Sequence, residues 1–572
     1  MQKTSRVRTG SDTPALELLP LGGVGRIGMN AMLLGYGDDF VLLDCGVMFP
    51  EPEQTGVELL IPSLDLLGKY KSRLRAIVVT HGHEDHIGAI PYVVKVAKVP
   101  VYATRFTAGL IEHKLREHAL VDSTELTVIA PGKTLKIGPF SFDFLRVTHS
   151  IPDCVSLCIT TPLGKMIFTG DFKIEEGLRD GAVFDKAGFK KAGDDGVLLM
   201  CSDSTNAEVP GRSGNETDVQ QTLTEVFAEC KGRIVVGLFA SNIYRLHAVV
   251  EAARKTGRYC VLLGRSLHTY VANTNANTDI PFDAEDFLEP REMSKYDDNE
   301  LVLICTGSQG EPRAALARLA NGSHPDTSVK PGDTLVLSAR QIPGNERRIH
   351  AMLNDFARRG ARIIYTRTHR GIHASGHAYS DELRELLSLV RPKYFWPVHG
   401  EYTFLQRHGE LGRESGAENV FLAENGQVVH VRPEGVQVLD QLDATPWFAD
   451  GLQVGDADSI ELKSRTQLAW NGTIAVSLWL QRDRGVVSGK VRVRPYGVFQ
   501  GKPGATASES ELVSEVEKGL TRWMQDLDPR TPAQGIEGTV QAQVRRLVKR
   551  FTTRKPVVLA FVRWLDDGAH DE

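Results

Sequence analysis

The chain has 572 residues, 41% hydrophobic and 24% charged, proportions that exclude wholesale disorder and allow two or three domains with sizeable cores. Its formal net charge of -5 excludes a global attraction for polyanions, so any nucleic-acid binding falls to local basic surfaces or to bound metal. The seven cysteines include no Cys-x-x-Cys pair and mostly sit in apolar runs, the pattern of reduced core residues in a cytosolic protein.

In chain order, Met1–Pro14 is polar and basic without an apolar core, and no run approaches the length of a membrane span. The expectation is neither an export signal nor a membrane anchor, and a cytoplasmic location. Leu16–Leu19 reads as a short strand, followed by Gly23-Val24-Gly25-Arg26-Ile27-Gly28, which matches the dinucleotide fingerprint with Asp44 beyond it. A Rossmann unit needs a helix after the third glycine. Here Ala31–Leu34, the turn Gly35–Asp39 and Phe40–Leu43 read as a β-hairpin, which makes the fingerprint a decoy. Asp44 ends a buried strand and has two readings, a carboxylate orienting a metal-ligating histidine or the metal loop, and a turn cap.

Thr80 to Gly88 reads Thr-His-Gly-His-Glu-Asp-His-Ile-Gly. The apolar, β-branched run Ala76–Val79 precedes it and helix-like spacing over Ile87–Lys95 follows, so the motif sits where a buried strand gives way to a helix. His81, His83, Asp85 and His86 cannot all hold one ion, because alternate side chains on a tight turn point different ways. They can serve two ions side by side. A histidine-rich surface turn is the bland alternative, and three histidines with an aspartate in one such turn weigh against it.

Next come the strand Val101–Ala103, a helix from Thr107 to about His118, and strands Phe142–Arg146, Ser156–Thr160 and Met166–Phe168. His149, in Val147-Thr148-His149-Ser150, and Asp171, closing Phe168-Thr169-Gly170-Asp171-Phe172, stand at strand ends. Either alone is more often a satisfied polar residue, as His113 and His118 read. With the first motif they complete a set. Further on, Ile234–Leu238, Cys260–Leu263, Leu301–Ile304 and Leu335–Leu337 read as strands alternating with helical segments such as Ile243–Lys255, an α/β layer of its own. After residues 440–455, Val486–Val493, helices near Ser510–Asp526 and Val540–Arg550, and Val557–Trp564 suggest a small α+β domain. Its second helix would bury Val540, Val544, Leu547, Val548 and Phe551 and expose Arg545, Arg546, Lys549 and Arg550.

The histidine turn, His149 and the Thr-Gly-Asp171 corner resemble the ordered motifs of the metallo-β-lactamase fold, with Asp44 as the first. Cys201-Ser202-Asp203-Ser204-Thr205-Asn206, His373-Ala374-Ser375-Gly376-His377 and Pro397-Val398-His399-Gly400-Glu401 resemble the three further motifs of β-CASP nucleases. Together with Cys305-Thr306-Gly307-Ser308-Gln309-Gly310-Glu311-Pro312 and Ile342-Pro343-Gly344-Asn345-Glu346, nearly the whole chain is similar to the bacterial ribonuclease J family.

The resemblance implies an α/β fold, a metallo-β-lactamase αββα sandwich over residues 1–206 and 372–439. A β-CASP domain would be inserted at 207–371, followed by a linker at 440–455 and the α+β domain at 456–572. It implies two zinc ions per chain, one on His81, His83 and His149, the other on Asp85, His86 and His399, with Asp171 bridging; manganese tolerates the same donors. The implied catalytic residues are Asp85, His377 at the scissile phosphate, and Asp203 orienting His377. Ser241, Asn242, His373 and Ser375 would form a pocket for a 5′-phosphate, although Ser241 and Asn242 read equally well as a helix cap. The implied activity is 5′-to-3′ exonucleolytic and endonucleolytic cleavage of RNA, preferably single-stranded with a 5′-monophosphate, in RNA maturation, including rRNA, and mRNA decay. A homodimer or homotetramer and partners in an RNA-degradation complex would go with it.

Two stretches depart from the family pattern, Ala339-Arg340-Gln341 before Ile342-Pro343 and the basic Thr366–Arg370 before His373. The rival readings are a DNA-directed β-CASP nuclease, against which His399 speaks, a small-molecule hydrolase, against which the long insertion speaks, and a catalytically inactive RNA-binding subunit, for which an intact ligand set has no use.

Overall fold

The computed structural model describes residues 14–51, 54, 56–342, 344–456, 460–483, 486–498, 509–528, 530–531 and 535–565. The basic start of the chain up to residue 13, and Pro343 of the Ile342–Glu346 motif, lie outside the described residues. Two compact units form, Met1–Phe49 with Leu60–Trp447, and Pro50–Leu59 with Phe448–Glu572. Among the described residues no helix is long and apolar enough to cross a membrane.

In the first unit two sheets share one core, and the period-2 alternation of their strands shows why. Leu16 and Leu18, Met32 and Leu34, Val41 and Leu43, and Ala76 and Val78 point inward from an eight-stranded sheet. Phe140, Phe142 and Phe144, Val155, Leu157 and Ile159, Met166 and Phe168, and Tyr394 and Trp396 meet them from a seven-stranded one. Residues of opposite parity such as Leu33, Leu42 and Ile77 are also fully buried, so the first sheet is covered on both faces. Ala31–Tyr36 and Asp39–Leu43 pair antiparallel, the hairpin that rules out a Rossmann crossover.

Parallel strands bring chemistry to one end of each sheet. Asp39–Leu43 runs parallel to Leu74–Val78 with Leu43 opposite Val78, and Gly164–Phe168, Val197–Asp203 and Tyr394–Val398 are mutually parallel neighbours. Asp44, the Thr80 turn, Asp171, Asp203 and His399 therefore all leave strands at matching ends. Between Asp203 and Tyr394 the chain departs to build a separate parallel sheet of six strands, in the order Phe287–Leu288, Tyr259–Leu263, Leu301–Cys305, Ile234–Gly237, Thr334–Leu337, Arg362–Tyr365.

In the second unit Val486–Tyr496, Thr473–Asp483 and Val557–Leu565 form a three-stranded sheet with Thr473–Asp483 at its centre. Helices Glu509–Gln525 and Ile536–Val548 cover one face, burying Leu512, Val516, Leu520, Val540 and Val544 against Ile474, Val476, Leu478 and Leu480. That central strand, and the helix Ile460–Asn471 before it, were not expected from the sequence, where small Ala475 and Ser477 dilute the apolar run. Residues 440–455, read as a linker, contain the strand Trp447–Asp450 and the start of Gln453–Asp456.

Candidate metal centre

The histidine turn is set by Asp44. Its Oδ1 accepts the backbone N–H of Thr80 at 2.8 Å, and its Oδ2 accepts the Thr80 hydroxyl at 2.9 Å and His86 Nδ1 at 2.8 Å. Of its two sequence readings, the structure therefore shows the orienting carboxylate. Asp44 and His399 both adopt the left-handed backbone region, φ 57° and 52°, which for an L-residue costs about 1–2 kcal/mol and here turns each side chain back over the strand end.

The structure divides the expected donors into two groups that share one residue. His81, His83, His149 and Asp171 form the first, and Asp85, His86, Asp171 and His399 the second, with the potential ligand atoms in each within 4.8 Å of one another. Asp171 Oδ2 lies 3.5 Å from His81 Nε2 and 3.8 Å from His149 Nε2. Its other oxygen, Oδ1, lies 3.3 Å from His86 Nε2 and 3.6 Å from His399 Nε2 and has no hydrogen-bond partner although buried. Asp85 Oδ2 sits 3.6 Å from His86 Nε2. His113 and His118 join neither group.

Whether this set suits cations follows from the ring atoms on its far side. The Thr80 hydroxyl donates to Asp44 and so accepts from His81 Nδ1; Asp44 accepts from His86 Nδ1, the Gly376 carbonyl from His149 Nδ1 at 2.5 Å, and Asn30 Oδ1 from His399 Nδ1 at 2.6 Å. Each anchor takes the Nδ1 proton, so four Nε2 lone pairs converge on the two oxygens of Asp171. Lone pairs facing lone pairs in a buried site repel unless a cation lies between them, and the donor set fits metal.

Burial holds His81 and His149 well below their ordinary pKa and His83 at about 4, keeping them neutral as ligation requires. At His86 burial also opposes charge, but Asp171, Asp85 and Asp44 outweigh it and raise its pKa: the carboxylates call for positive charge at Nε2, which a proton supplies without metal and a cation would supply in its place. Burial opposes ionisation of Asp171 as well; His399, His86, His81 and His377 overcome this and hold it well below the carboxylate range.

Asn30 is a site residue that the sequence reading missed. Its carboxamide accepts from His399 and donates to Asp85 Oδ2 at 3.2 Å and toward His86 Nε2 at 3.0 Å, tying the second group together. The decoy glycines explain how it gets there. At Gly23, φ 82°, a Cβ would lie 2.3 Å from Asn30 Oδ1, so only glycine lets the loop fold over that side chain.

His377 stands beside the first group. Asp203 Oδ2 holds its Nδ1 at 2.8 Å, and although burial opposes its charge, Asp203 and Asp171 raise it to about 9. A Cβ on the preceding Gly376 would meet the His149 ring at 2.8 Å, so this loop packs directly onto a donor histidine. Ser375 Oγ accepts from the His377 N–H at 3.1 Å and from Asn206 Nδ2 at 2.9 Å, and the guanidinium of Arg340 donates to Asn206 Oδ1. The first family departure thus places an exposed cation two side chains from His377, and no carboxylate among the described residues pairs with it.

Of the four residues expected at a 5′-phosphate, Arg245 contacts two, Asn242 and His373. Fully buried and paired with Glu216 at 2.8 Å, Arg245 also donates to His373 Nδ1 at 3.1 Å and to the Ala374 carbonyl at 3.2 Å. Its own N–H is capped by Asn242 Oδ1, so the cap reading of Asn242 is correct for that oxygen. Ile243 N–H donates to the Ser150 carbonyl, placing Ser241 and Asn242 next to the His149 loop. Burial, with Arg245, Arg340 and Lys173 close by, holds His373 well below its ordinary pKa. Among the described residues no hydrogen bond joins Ser241 or Asn242 to Ser375.

Residues 24–210 match the metallo-beta-lactamase superfamily, 231–356 the ribonuclease J beta-CASP domain, 363–423 the Zn-dependent metallo-hydrolase RNA specificity domain, and 460–563 the ribonuclease J C-terminal domain. Ribonuclease J of Sinorhizobium meliloti is 35% identical over 98% of this chain and 100% of its own, and ribonuclease J 1 of Streptococcus pyogenes 35% identical over 95% and 96%. The chain belongs to the ribonuclease J family. Ribonuclease J of Thermus thermophilus, 34% identical over 97% and 96% of the two chains, is a further relative. A solved Enterococcus faecalis protein of unknown function shares the fold alone, with a TM-score of 0.54, 16% identity, and coverage of 73% of this chain and 100% of its own. As a ribonuclease J family member with these donor groups, the chain is a metal-dependent ribonuclease that binds RNA.

Proposed function

We propose that this ribonuclease J family member cleaves RNA at a centre of two zinc ions. His81, His83 and His149 would hold one ion, Asp85, His86 and His399 the other, and Asp171 would give one carboxylate oxygen to each. The observation that carries this reading is the pair of Asp171 oxygens, each facing two Nε2 lone pairs whose rings are anchored at Nδ1. Histidine-rich ligation favours zinc, while manganese accepts the same donors. Two divalent cations supply water activation and neutralise charge growing on the phosphodiester, together worth several kcal/mol of transition-state stabilisation.

The residues around them do the rest. His377, its Nδ1 held by Asp203, offers its free Nε2 to the scissile phosphate and gives a proton to the departing 3′-oxygen. Asp203 keeps that ring in register. His373 and Ser375, on the same loop as His377, with Ser241 and Asn242 beside the His149 loop, form the site for a 5′-monophosphate and so favour 5′-to-3′ exonucleolytic entry. Internal cleavage does not engage them. Such an enzyme matures RNA, including rRNA, and degrades mRNA in the cytoplasm, as a homodimer or homotetramer with partners in an RNA-degradation complex.

The test is incubation of purified protein with end-labelled RNA and DNA oligomers, with and without chelator, alongside elemental analysis. Two zinc ions per chain, RNA cleavage from the 5′ end and internally, and loss of both activities with chelator are expected. Active protein without bound metal, or preferential cleavage of DNA, would overturn the reading.

A further inference from the structure

We propose that the outer face of the C-terminal sheet is a second binding surface for single-stranded RNA, separate from the metal centre. The inference rests on RNA being the substrate of the chain and adds a place where it is held. Strand alternation defines the face. Ile474, Val476, Leu478 and Leu480 point into the core, so Ala475, Ser477 and Trp479 point out. Register then sets three rows across the sheet: Arg494, Ala475 and Leu559; Arg492, Ser477 and Phe561; Lys490, Trp479 and Arg563.

Small Ala475 and Ser477 lie on the central strand between Arg492 and Arg494 on one neighbouring strand and Leu559 and Phe561 on the other, and the last row sets Trp479 between Lys490 and Arg563. Phe561 is 60% exposed, Trp479 37%, and Tyr496, at the end of the cationic strand, 82%. Large apolar side chains gathered on one exposed face mark an interaction surface. The cations carry the choice of partner. Among the described residues no carboxylate pairs with Lys490, Arg492, Arg494 or Arg563, whereas the buried arginines Arg233 and Arg245 are neutralised by Asp333 and Glu216.

A second copy of the same face would set these four cations against four others, so self-association is disfavoured. A single-stranded nucleic acid offers a phosphate for the cationic edge and a flat base for the aromatic edge at every nucleotide, so recognition needs no particular sequence. With a chain whose net charge is -5, affinity for a polyanion away from the metal centre has to come from such a local surface. The exposed helix residues Arg545, Arg546, Lys549 and Arg550 are also basic but carry no exposed aromatic beside them, and the sheet face is the better match.

The experiment uses the full chain carrying His377→Ala to slow cleavage, and measures fluorescence anisotropy of unstructured RNAs of about 30 and about 5 nucleotides. Two variants are compared with this parent, Trp479→Ala with Phe561→Ala, and Arg492→Ala with Arg494→Ala. The aromatic variant should bind the long RNA at least about tenfold more weakly, since each stacked base contributes roughly 5- to 150-fold. The arginine variant should lower the slope of log affinity against log salt by about 1.4, at about 0.7 for each phosphate no longer neutralised.

Cleavage of the short RNA by the same variants with His377 restored should match wild type. A wild-type chain that failed to cleave the short RNA would instead count against the ribonuclease reading itself. The proposal is overturned if both variants bind the long RNA with unchanged affinity and salt slope. It is equally overturned if they change the oligomeric state in light scattering while RNA affinity per chain stays the same, which would make the face a contact between copies.

Discussion

The metal centre and the outer face of the C-terminal sheet gather polar chemistry under opposite rules. At the centre His81, His86, His149 and His399 are each held from behind by a hydrogen bond that also fixes the tautomer, so these donors are buried and pre-aimed. On the sheet the cations have no carboxylate partner among the described residues, and both they and the rings remain exposed, so they are free to pair with whatever binds. Substitutions of the donor residues should therefore change metal content and chemistry together, whereas those on the sheet should change affinity alone.

The largest expected effect is at the residue both donor groups share. Asp171→Asn removes the bridging charge, and elemental analysis should find both ions lost. Cleavage should fall by about a thousandfold or more, since several kcal/mol of stabilisation disappear at about 1.4 kcal/mol per factor of ten. Retention of one full equivalent of metal would show that the two groups do not depend on a common carboxylate.

His377→Ala separates chemistry from ligation within the centre. Single-turnover cleavage should drop by about a hundred- to ten-thousandfold while metal content stays near wild type. Loss of an ion would move His377 into the ligand set, as the close approach of Asp171, Asp203, His377 and His399 would then explain.

End recognition comes next in size. A 5′-triphosphate brings two further charged groups that must find donors or be desolvated unpaired, at about 1–3 kcal/mol. Monophosphorylated RNA should accordingly be degraded from its end roughly ten- to a hundredfold faster, and His373→Ala with Ser375→Ala should narrow the difference. Equal exonucleolytic rates on the two RNAs with the wild-type chain would remove the pocket. Asp44→Ala should weaken metal affinity about ten- to a hundredfold, seen by titration with a competing chelator, because His86 and the Thr80 turn lose their anchor. Unchanged affinity would mean the turn holds its shape without Asp44.

The smallest effect is expected at Arg340, an exposed cation joined to the His377 loop through Asn206. Arg340→Ala should raise KM for RNA a few-fold and reduce the salt slope by about 0.7, with kcat and metal content preserved. A fall in kcat at constant KM would make it a support for Asn206 and not a contact for phosphate.

Much of this was legible in the chain. The candidate donors fall in short ordered motifs, because a turn between a buried strand and a helix can present several donors only if they are close in sequence. His81, His83, Asp85 and His86 accordingly stand together. The hairpin after Gly28 was readable from alternation and exposed the fingerprint as a decoy. Asn30, Arg245, Asn206 and Arg340 were not readable as site residues. Asn30 lies 369 positions from the His399 ring it holds and Arg245 lies 128 from His373, so nothing local marks them. The central strand of the C-terminal sheet was missed for a related reason, since small outward residues suit a binding face and weaken a strand signal.

Sequence by itself therefore determined which side chains could bind metal, that there were enough of them for two ions, and the α/β alternation that carries them, since periodicity and donor type are local properties of the chain. Tertiary structure alone decided which donors come within reach of one another, which ring nitrogen each buried hydrogen bond leaves free, and that a single aspartate faces both groups. Those outcomes depend on how strand ends from two sheets meet and on buried hydrogen bonds between residues hundreds of positions apart, and a one-dimensional pattern carries no information about either.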